Sequence, residues 1–328
     1  MMQQRQLGKN GGEVGAVGLG CMSFAGMYGA TDMAESHATL ARALELGVTH
    51  LDTALIYGNG VSEEVIGAFI KDHPGRFSIA TKGGIRVHPE RGFDNSEAYL
   101  RECLEGSLKR LGVDHVDLYY IHRRDQNIPI EDVTGTLARF VEEGKIGGIG
   151  YSEIAPSSLE RAAAVHPVMA VQSEYSLWTR LPELGMLQAC ERLGTAFVAF
   201  SPVARGMFAR EAPDAKAIPA EAFRGSNPRF QEPNFSRNVA LIEPFRRYAI
   251  ERGISPATLA ITWVLNKNEN IIAIPGTRTA AHLEEDAAGA DLKLSAAEIA
   301  EIETILPPGF AHGARYSEAQ AKGPEDYC

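Results

Sequence analysis

The chain has 328 residues, of which 45% are apolar, a length and composition that suit one large α/β domain with a sizeable core. Its 32 Lys and Arg residues against 42 Asp and Glu residues give a net charge of −10, which disfavours nucleic acid or an anionic membrane as partner. The four Cys residues lack the spacing of a zinc or redox motif. No signal peptide or membrane-length apolar run is present, so we expect a cytoplasmic protein with reduced thiols.

The predicted elements begin with a small hairpin within residues 6–20, which runs into a first strand at Ala16–Gly20. Strands and helices then alternate along the whole chain. The predicted strands end at Gly20, Asp52, Lys82, His122, Ser152, Gln172, Ser201 and Ile274, and the predicted helical regions cover residues 33–46, 62–70, 96–110, 131–143, 156–163, 184–192, 239–265 and 279–286.

This alternation amounts to eight strands that are each followed by a helix. The strands are nearly continuous apolar runs, as expected for parallel strands that are buried on both faces. The sequence therefore predicts a single domain over residues 1–328, an α/β (β/α)8 TIM barrel with an N-terminal hairpin. Residues 203–236 and the tail from Pro307 fall outside the repeat, and we expect them to be extended loops at the C-terminal face.

Chemically distinctive side chains follow three consecutive predicted strands. The second strand ends at Asp52, the third at Lys82 and the fourth at His122, while Tyr57 lies on the loop after the second. Barrel enzymes carry their catalytic residues at the C-terminal ends of the strands. We therefore expect these four side chains to lie together at one mouth of the barrel.

The combination of these four residue types suits proton donation to an oxygen atom. A Tyr hydroxyl has a pKa near 10 and is a poor acid at neutral pH, but a nearby ammonium lowers that pKa. Asp52 would hold the Lys82 ammonium in place, and His122 would orient a carbonyl oxygen beside Tyr57. No protein nucleophile accompanies them, so a hydride from a nicotinamide would complete the reaction.

The chain resembles the aldo-keto reductases, specifically the branch with bacterial aldo-keto reductases and potassium-channel β subunits. The resemblance covers nearly the whole length, and the segment from Leu51 to Gly58 carries the most specific motif. The other matching segments follow in the family's order: Gly18–Met22, Glu63-Glu64, Gly67, Thr81-Lys82, Tyr120–His122, Gly147–Glu153, Val171–Ser176, Phe200–Pro202 and Ile274–Arg278.

The resemblance implies that Asp52, Tyr57, Lys82 and His122 are the catalytic residues and that NADPH is the cofactor. No glycine motif of a Rossmann phosphate loop lies between a strand and a helix. In the family pattern the nicotinamide carboxamide is bound by Ser152 and Gln172, and Phe200 stacks on the ring. The remaining implied cofactor contacts are Met22, Ser201, Pro202, Val203, Arg205, Gly206, Gly276, Thr277, Arg278, His282, Glu285 and Asp286.

Two positions depart from the family pattern near the implied adenosine site. The adenine-contacting motif usually ends Glu-Asn, but here it ends with Glu285-Asp286, and position 282, often Arg or Gln, is His282. An ionised Asp cannot donate a hydrogen bond as an Asn amide does. Arg278 can compensate, because a guanidinium holds a phosphate through two hydrogen bonds.

The resemblance favours a free-standing enzyme that reduces a small aldehyde or ketone and uses no metal. One alternative is a β-subunit-like regulatory module that binds the cofactor and has only weak reductase activity. The absence of a long N-terminal extension argues against it. The other alternative is a metal-dependent barrel hydrolase built on His122, but no His-x-His motif or carboxylate cluster accompanies that residue. Phe223, Phe230 and Phe235 on the long loop either pack internally or contact the substrate.

Overall fold

A computed structural model describes residues 2–87, 90–219, 222 and 224–327. Its eight-stranded sheet is parallel throughout, and each strand pairs with the next one along the chain. Parallel bridges from Val17 to Ala273 and from Gly20 to Gly276 join the first strand to the last and close the sheet. The fold is thus the predicted (β/α)8 TIM barrel, with the helices packed around the sheet.

The barrel strands are short, with two to seven residues each. In chain order they are Leu19–Gly20, His50–Asp52, Ser78–Gly83, Leu118–Ile121, Ile149–Ser152, Val168–Glu174, Ala196–Phe200 and Ile271–Ile274, and we number them one to eight. Two small antiparallel hairpins accompany the barrel: Gln4–Gln6 with Glu13–Gly15, and Ile85–Arg86 with Gly92–Phe93.

At least one helix follows each barrel strand, and some of the helices begin and end at recognisable caps. Ser96 accepts a hydrogen bond from the backbone amide of Tyr99, and Gly112 ends the same helix with a φ of 70°. The α-helices are Met33–Leu46, Val61–Ile70, Glu97–Leu111, Ile130–Glu142, Pro156–Val165, Met186–Leu193, Asn234–Glu251, Pro256–Leu265, Ala280–Ala287, Ala296–Ile305 and Glu318–Ala321.

Several boundaries differ from the sequence prediction. The hairpin begins at Gln4, and the first barrel strand has only two residues, because Ala16–Gly18 join their neighbours through isolated bonds instead of a regular ladder. The helical region 239–265 is two helices, since Pro256 cannot continue a helix from the preceding turn. The sixth strand continues past Gln172 to Glu174.

The core occupies the barrel interior and the layer between sheet and helices. The interior is tightly filled: a Cβ atom added to Gly150 would lie 2.3 Å from the Tyr120 ring. Cys21, Cys103 and Cys190 are buried free thiols, while Cys328 lies outside the described residues. Among the described residues no helix has the length and apolarity required to cross a membrane.

The C-terminal tail folds back over the barrel mouth. Arg315 forms an ion pair with Glu153, and Arg124 forms one with Glu325. The backbone amide of Glu325 also donates to the carbonyl of Glu153 at 2.8 Å. These contacts hold the tail, including the short helix Glu318–Ala321, against the loops that follow the strands.

Candidate active site

A cavity of about 470 Å³ opens at the C-terminal ends of the barrel strands. Its wall comes from the loops after the strands, from residues 203–209 together with Arg224, and from the tail. Asp52, Tyr57 and His122 line it, and Lys82 lies fully buried behind Asp52 and Tyr57. The structure therefore brings together the four residues that the sequence analysis singled out.

Lys82 is the centre of this cluster. Its ammonium donates hydrogen bonds to Asp52 Oδ1, to the carbonyl of Thr53 at 2.8 Å and to the Tyr57 hydroxyl at 3.4 Å. Asp52 is only 2% exposed, and its other oxygen accepts a hydrogen bond from Gln172 Nε2 at 2.7 Å. The buried ion pair is thus supported by further hydrogen bonds, which a buried pair requires.

The parallel register and a nearby network fix these side chains. Residue 52 on the second strand pairs with residue 80 on the third, which places Lys82 two residues beyond that point. The hydroxyl of Thr81 donates to buried Glu63 at 2.5 Å, and Glu63 accepts from Arg110 at 2.7 Å. Gly58, with φ of 64°, allows the Tyr57 loop to turn, and a Cβ there would lie 2.8 Å from Ala25.

Burial and charge act in opposite directions on Lys82 and Tyr57. Burial lowers the pKa of Lys82, but Asp52 and Tyr57 raise it by more, so this pKa lies above its usual value and the side chain is an ammonium. Burial raises the pKa of Tyr57 above its usual value of 10.0, and Lys82 opposes that effect. The ammonium acts in the direction expected from the sequence, but burial outweighs it.

His122 lies beside Tyr57 as a neutral imidazole. The two rings are 5.9 Å apart, centroid to centroid, and cross at 86°. Burial, with the cations Arg123, Lys82 and Arg91, holds the pKa of His122 well below its usual value. A neutral imidazole has one N–H donor, so His122 can donate a hydrogen bond to an oxygen placed near the Tyr57 hydroxyl.

Every residue that the family pattern assigns to the cofactor lines the same cavity. Ser152 is the last residue of the fifth strand and Phe200 is the last residue of the seventh. Gln172 lies two residues before the end of the sixth strand. The Ser152 hydroxyl accepts a hydrogen bond from Arg123 at 3.0 Å. The other cavity-lining residues of this set are Met22, Ser201, Pro202, Val203, Arg205, Gly206, Gly276, Thr277, Arg278, His282, Glu285 and Asp286.

Arg205 is bound within a buried charge network. Its Nη2 atom lies 2.7 Å from Glu174 Oε2, and its guanidinium lies 5.1 Å from the centre of the Tyr316 ring. Arg315 approaches the same carboxylate at 3.8 Å. Arg205 thus joins the 201–206 loop to the tail as well as lining the cavity.

Two other arginines in the cavity wall, Arg278 and Arg224, suit an anionic group. Arg278 donates to the carbonyl of Ala30 at 2.7 Å, and Arg224 lies over the Tyr28 ring at 5.4 Å. Within the described residues neither pairs with a carboxylate. Burial, with a smaller contribution from Arg278, lowers the pKa of Arg224. Two neighbouring cations without a carboxylate fit the phosphates of a dinucleotide.

The two residues that depart from the family pattern, His282 and Asp286, lie on the helix Ala280–Ala287, which follows Arg278 in the chain. His282 is exposed, whereas Asp286 is only 6% exposed. Burial, with Glu285 adding to it, raises the pKa of Asp286 well above its usual value. Ser255 donates to the Glu285 carboxylate at 3.1 Å, which ties this helix to the preceding one.

Several cavity residues had no signal in the sequence. Tyr28, Arg91, Phe93 and Tyr316 come from segments that lie far apart along the chain, and only the folded barrel brings them together.

The aromatic residues Trp178, Phe230 and Phe235 do not line the cavity; they are buried and pack on one another. Phe223 lies outside the described residues. Within the described part of the chain, no group of three or more His, Cys, Asp or Glu side chains could hold a metal ion.

The closed parallel barrel, with this tetrad at its C-terminal mouth, has the architecture of a barrel enzyme. The family model "Aldo/keto reductase family" matches residues 16–307, so the chain belongs to that family, as the sequence motifs predicted. "Probable aldo-keto reductase 1" of Glycine max is 38% identical over 96% of this chain and 92% of its own length. "Aldo-keto reductase yakc [NADP(+)]" of Schizosaccharomyces pombe is 39% identical over 92% of each.

Solved structures share the fold over nearly the whole chain. The glycerol dehydrogenase AKR11B4 of Gluconobacter oxydans has a TM-score of 0.84 and 27% identity, covering 92% of this chain and 94% of its own. An aldo-keto reductase of Klebsiella pneumoniae, solved in complex with NADPH, has a TM-score of 0.74 and 25% identity, covering 97% and 99%.

Proposed function

We propose that this protein is an NADPH-dependent oxidoreductase that reduces an aldehyde or ketone to the alcohol, with Tyr57 as the proton donor. The observation that carries the proposal is the buried Lys82 ammonium, which contacts both the Asp52 carboxylate and the Tyr57 hydroxyl at the cavity floor. A phenol so placed can give its proton to an oxygen atom, and the ammonium stabilises the phenolate that remains.

The proposed role of each residue follows from its charge and position. NADPH, when bound, supplies the hydride that reduces the carbonyl carbon. As negative charge grows on the carbonyl oxygen, Tyr57 transfers its proton to that oxygen, and Lys82 compensates the charge left on the phenol. His122 is neutral, and it orients the oxygen by hydrogen bonding without competing as the acid. Asp52 fixes the ammonium and is itself held by Gln172.

The residues around the cavity are suited to hold the cofactor. Ser152 and Gln172 offer polar groups for the nicotinamide carboxamide, and Phe200 offers a ring face. The 201–206 loop would hold the pyrophosphate, while Arg278, with Gly276 and Thr277, would hold the adenosine 2′-phosphate. The NADP(+) in the name of the Schizosaccharomyces pombe relative and the NADPH of the Klebsiella pneumoniae complex support the choice of cofactor.

Replacing the Tyr57 hydroxyl tests the proposal most directly. Tyr57→Phe should lower kcat for a neutral aromatic aldehyde by at least about 10²-fold, because general acid catalysis contributes at least that much. NADPH binding, measured by fluorescence titration, should persist. Tyr248→Phe is the matched control, since Tyr248 is also largely buried but bonds Glu301 at 2.9 Å away from the cavity lining. Near-normal turnover by Tyr57→Phe would contradict the assignment.

A further inference from the structure

Two arginines border the catalytic end of the cavity and have no role in the reaction described above. Arg91 directly precedes the second strand of the small hairpin that follows the third barrel strand, and Arg123 follows His122 after the fourth. Both face the same cavity as Tyr57. Both guanidiniums also lie near enough to His122 to help lower the pKa of its ring.

The donors of these two side chains are only partly used. Arg123 Nη1 donates to the carbonyl of His122 at 2.6 Å and to the Ser152 hydroxyl at 3.0 Å, which leaves other N–H groups of its guanidinium available. Arg91 is exposed to the cavity and its opening. Throughout residues 2–87, 90–219, 222 and 224–327, no carboxylate forms an ion pair with either one.

The carboxylates that line the cavity do not neutralise Arg91 and Arg123. Asp52 is occupied by Lys82 and Gln172, and Glu285 and Asp286 lie on the helix after the eighth strand. In a chain with a net charge of −10, the catalytic end of the cavity is therefore locally cationic. Such a site favours an anion over a neutral group of the same size.

The strand order separates this anion site from the groups proposed to hold the cofactor. Arg91 and Arg123 follow strands three and four, whereas the 201–206 loop and Arg278 follow strands seven and eight across the barrel. The cofactor phosphates would already be held at that far side. An anion beside His122 would accordingly belong to the substrate.

The rest of this end of the cavity is apolar. Ile85 and Phe93 of the Arg91 hairpin line the cavity, as does Ile56 next to Tyr57. This lining suits a compact apolar or aromatic body between the reacting carbonyl and the charged group.

We propose that the substrate is an aldehyde or ketone that carries an anionic group, a carboxylate or a phosphate, which Arg91 and Arg123 bind next to His122. The inference rests on the proposed carbonyl reduction and names its substrate class. Arg91 is the better test residue, because Arg123 also contacts the backbone of His122 and the predicted cofactor ligand Ser152.

The test compares matched charged and neutral substrates with saturating NADPH. One pair is 4-carboxybenzaldehyde and methyl 4-formylbenzoate; the other is pyridoxal 5′-phosphate and pyridoxal. The wild type should show a kcat/KM about tenfold higher for the charged member of at least one pair, mainly through a lower KM. The preference should fall as salt is added, because the site is open to solvent. The pair that shows it distinguishes a carboxylate from a phosphate ligand.

Substitutions then attribute the preference to the side chain. Arg91→Met should reduce the charged-to-neutral ratio about tenfold, and Arg91→Lys should reduce it less, because the charge remains although the two-donor geometry of the guanidinium is lost. Arg86→Met is the matched control: Arg86 lies on the same hairpin but does not line the cavity, so the ratio should stay within about twofold of the wild type.

The outcomes separate the two proposals. If the neutral aldehydes are reduced but neither charged partner is preferred, the anion site is wrong and the reductase proposal stands. A preference that survives Arg91→Met would also overturn the site. If NADPH reduces none of the four compounds, and no other carbonyl compound is reduced, the proposed function itself fails.

Discussion

Removing the Lys82 ammonium should expose how much of the chemistry depends on electrostatics. Its Nζ atom lies 3.4 Å from the Tyr57 oxygen. At an effective dielectric constant of about 20, a phenolate at that distance gains roughly 5 kcal/mol from the ammonium. The Asp52 carboxylate, which binds the same ammonium, offsets part of this gain. Burial already raises the pKa of Tyr57, so losing the opposing cation leaves a much weaker acid.

In Lys82→Met we therefore expect kcat to fall by at least about 10²-fold, and the alkaline limb of the kcat/KM profile to move to higher pH. That limb reports the loss of the protonated acid, so its direction follows from the raised phenol pKa. Lys82→Arg retains the charge and should keep more activity. An unchanged position of the pH–rate profile in Lys82→Met would refute the electrostatic role.

The same substitution also affects folding, and a double variant separates the two effects. Lys82→Met leaves the Asp52 carboxylate buried without its cation, which costs about 3–5 kcal/mol in similar cases. Lys82→Met combined with Asp52→Asn removes both charges and should recover much of this stability in urea unfolding. Activity should stay low in the double variant, because the phenol still lacks its ammonium.

Two further predictions concern the proposed adenosine end of the cavity. Arg278→Ala should weaken NADPH by roughly 10- to 100-fold and hardly change NADH, as a charge-assisted contact contributes about 1.5–3 kcal/mol; equal losses in fluorescence titrations would contradict it. Asp286→Asn should stabilise the fold at neutral pH, because burial raises the pKa of the native carboxyl. The wild type loses stability as pH rises from about 4 through that raised pKa, so the gain should vanish in urea unfolding below about pH 4.

The fold was predictable because its regularities are local. Buried parallel strands such as Ala196–Phe200 are continuous apolar runs, and helices such as Glu97–Leu111 have a serine cap and a terminal glycine. One error, at the first barrel strand, arose where tertiary contacts override the sequence pattern. Ala16 and Val17 are fully buried and apolar like strand residues, yet their bonds to the last strand are isolated.

The proximity of the four proposed catalytic residues was predictable for a topological reason. Consecutive parallel strands place their ends side by side, so Asp52, Lys82 and His122 had to be neighbours once the barrel was recognised. Tyr316 could not be found this way, because the tail reaches the cavity through ion pairs between residues far apart in sequence, such as Arg315 and Glu153. Long-range charge pairing leaves no periodic signal in a single sequence.

The structure also changes how Asp286 should be understood. From sequence, an Asp in place of Asn argued against an adenine contact, because an ionised carboxylate only accepts hydrogen bonds. The raised pKa of this buried group keeps it protonated at pH values where an exposed Asp is ionised. A protonated carboxyl has one O–H donor and retains an acceptor oxygen, as an amide offers both donor and acceptor. The departure at position 286 is therefore compatible with NADPH below that pKa, and Arg278 remains the residue that would distinguish NADPH from NADH.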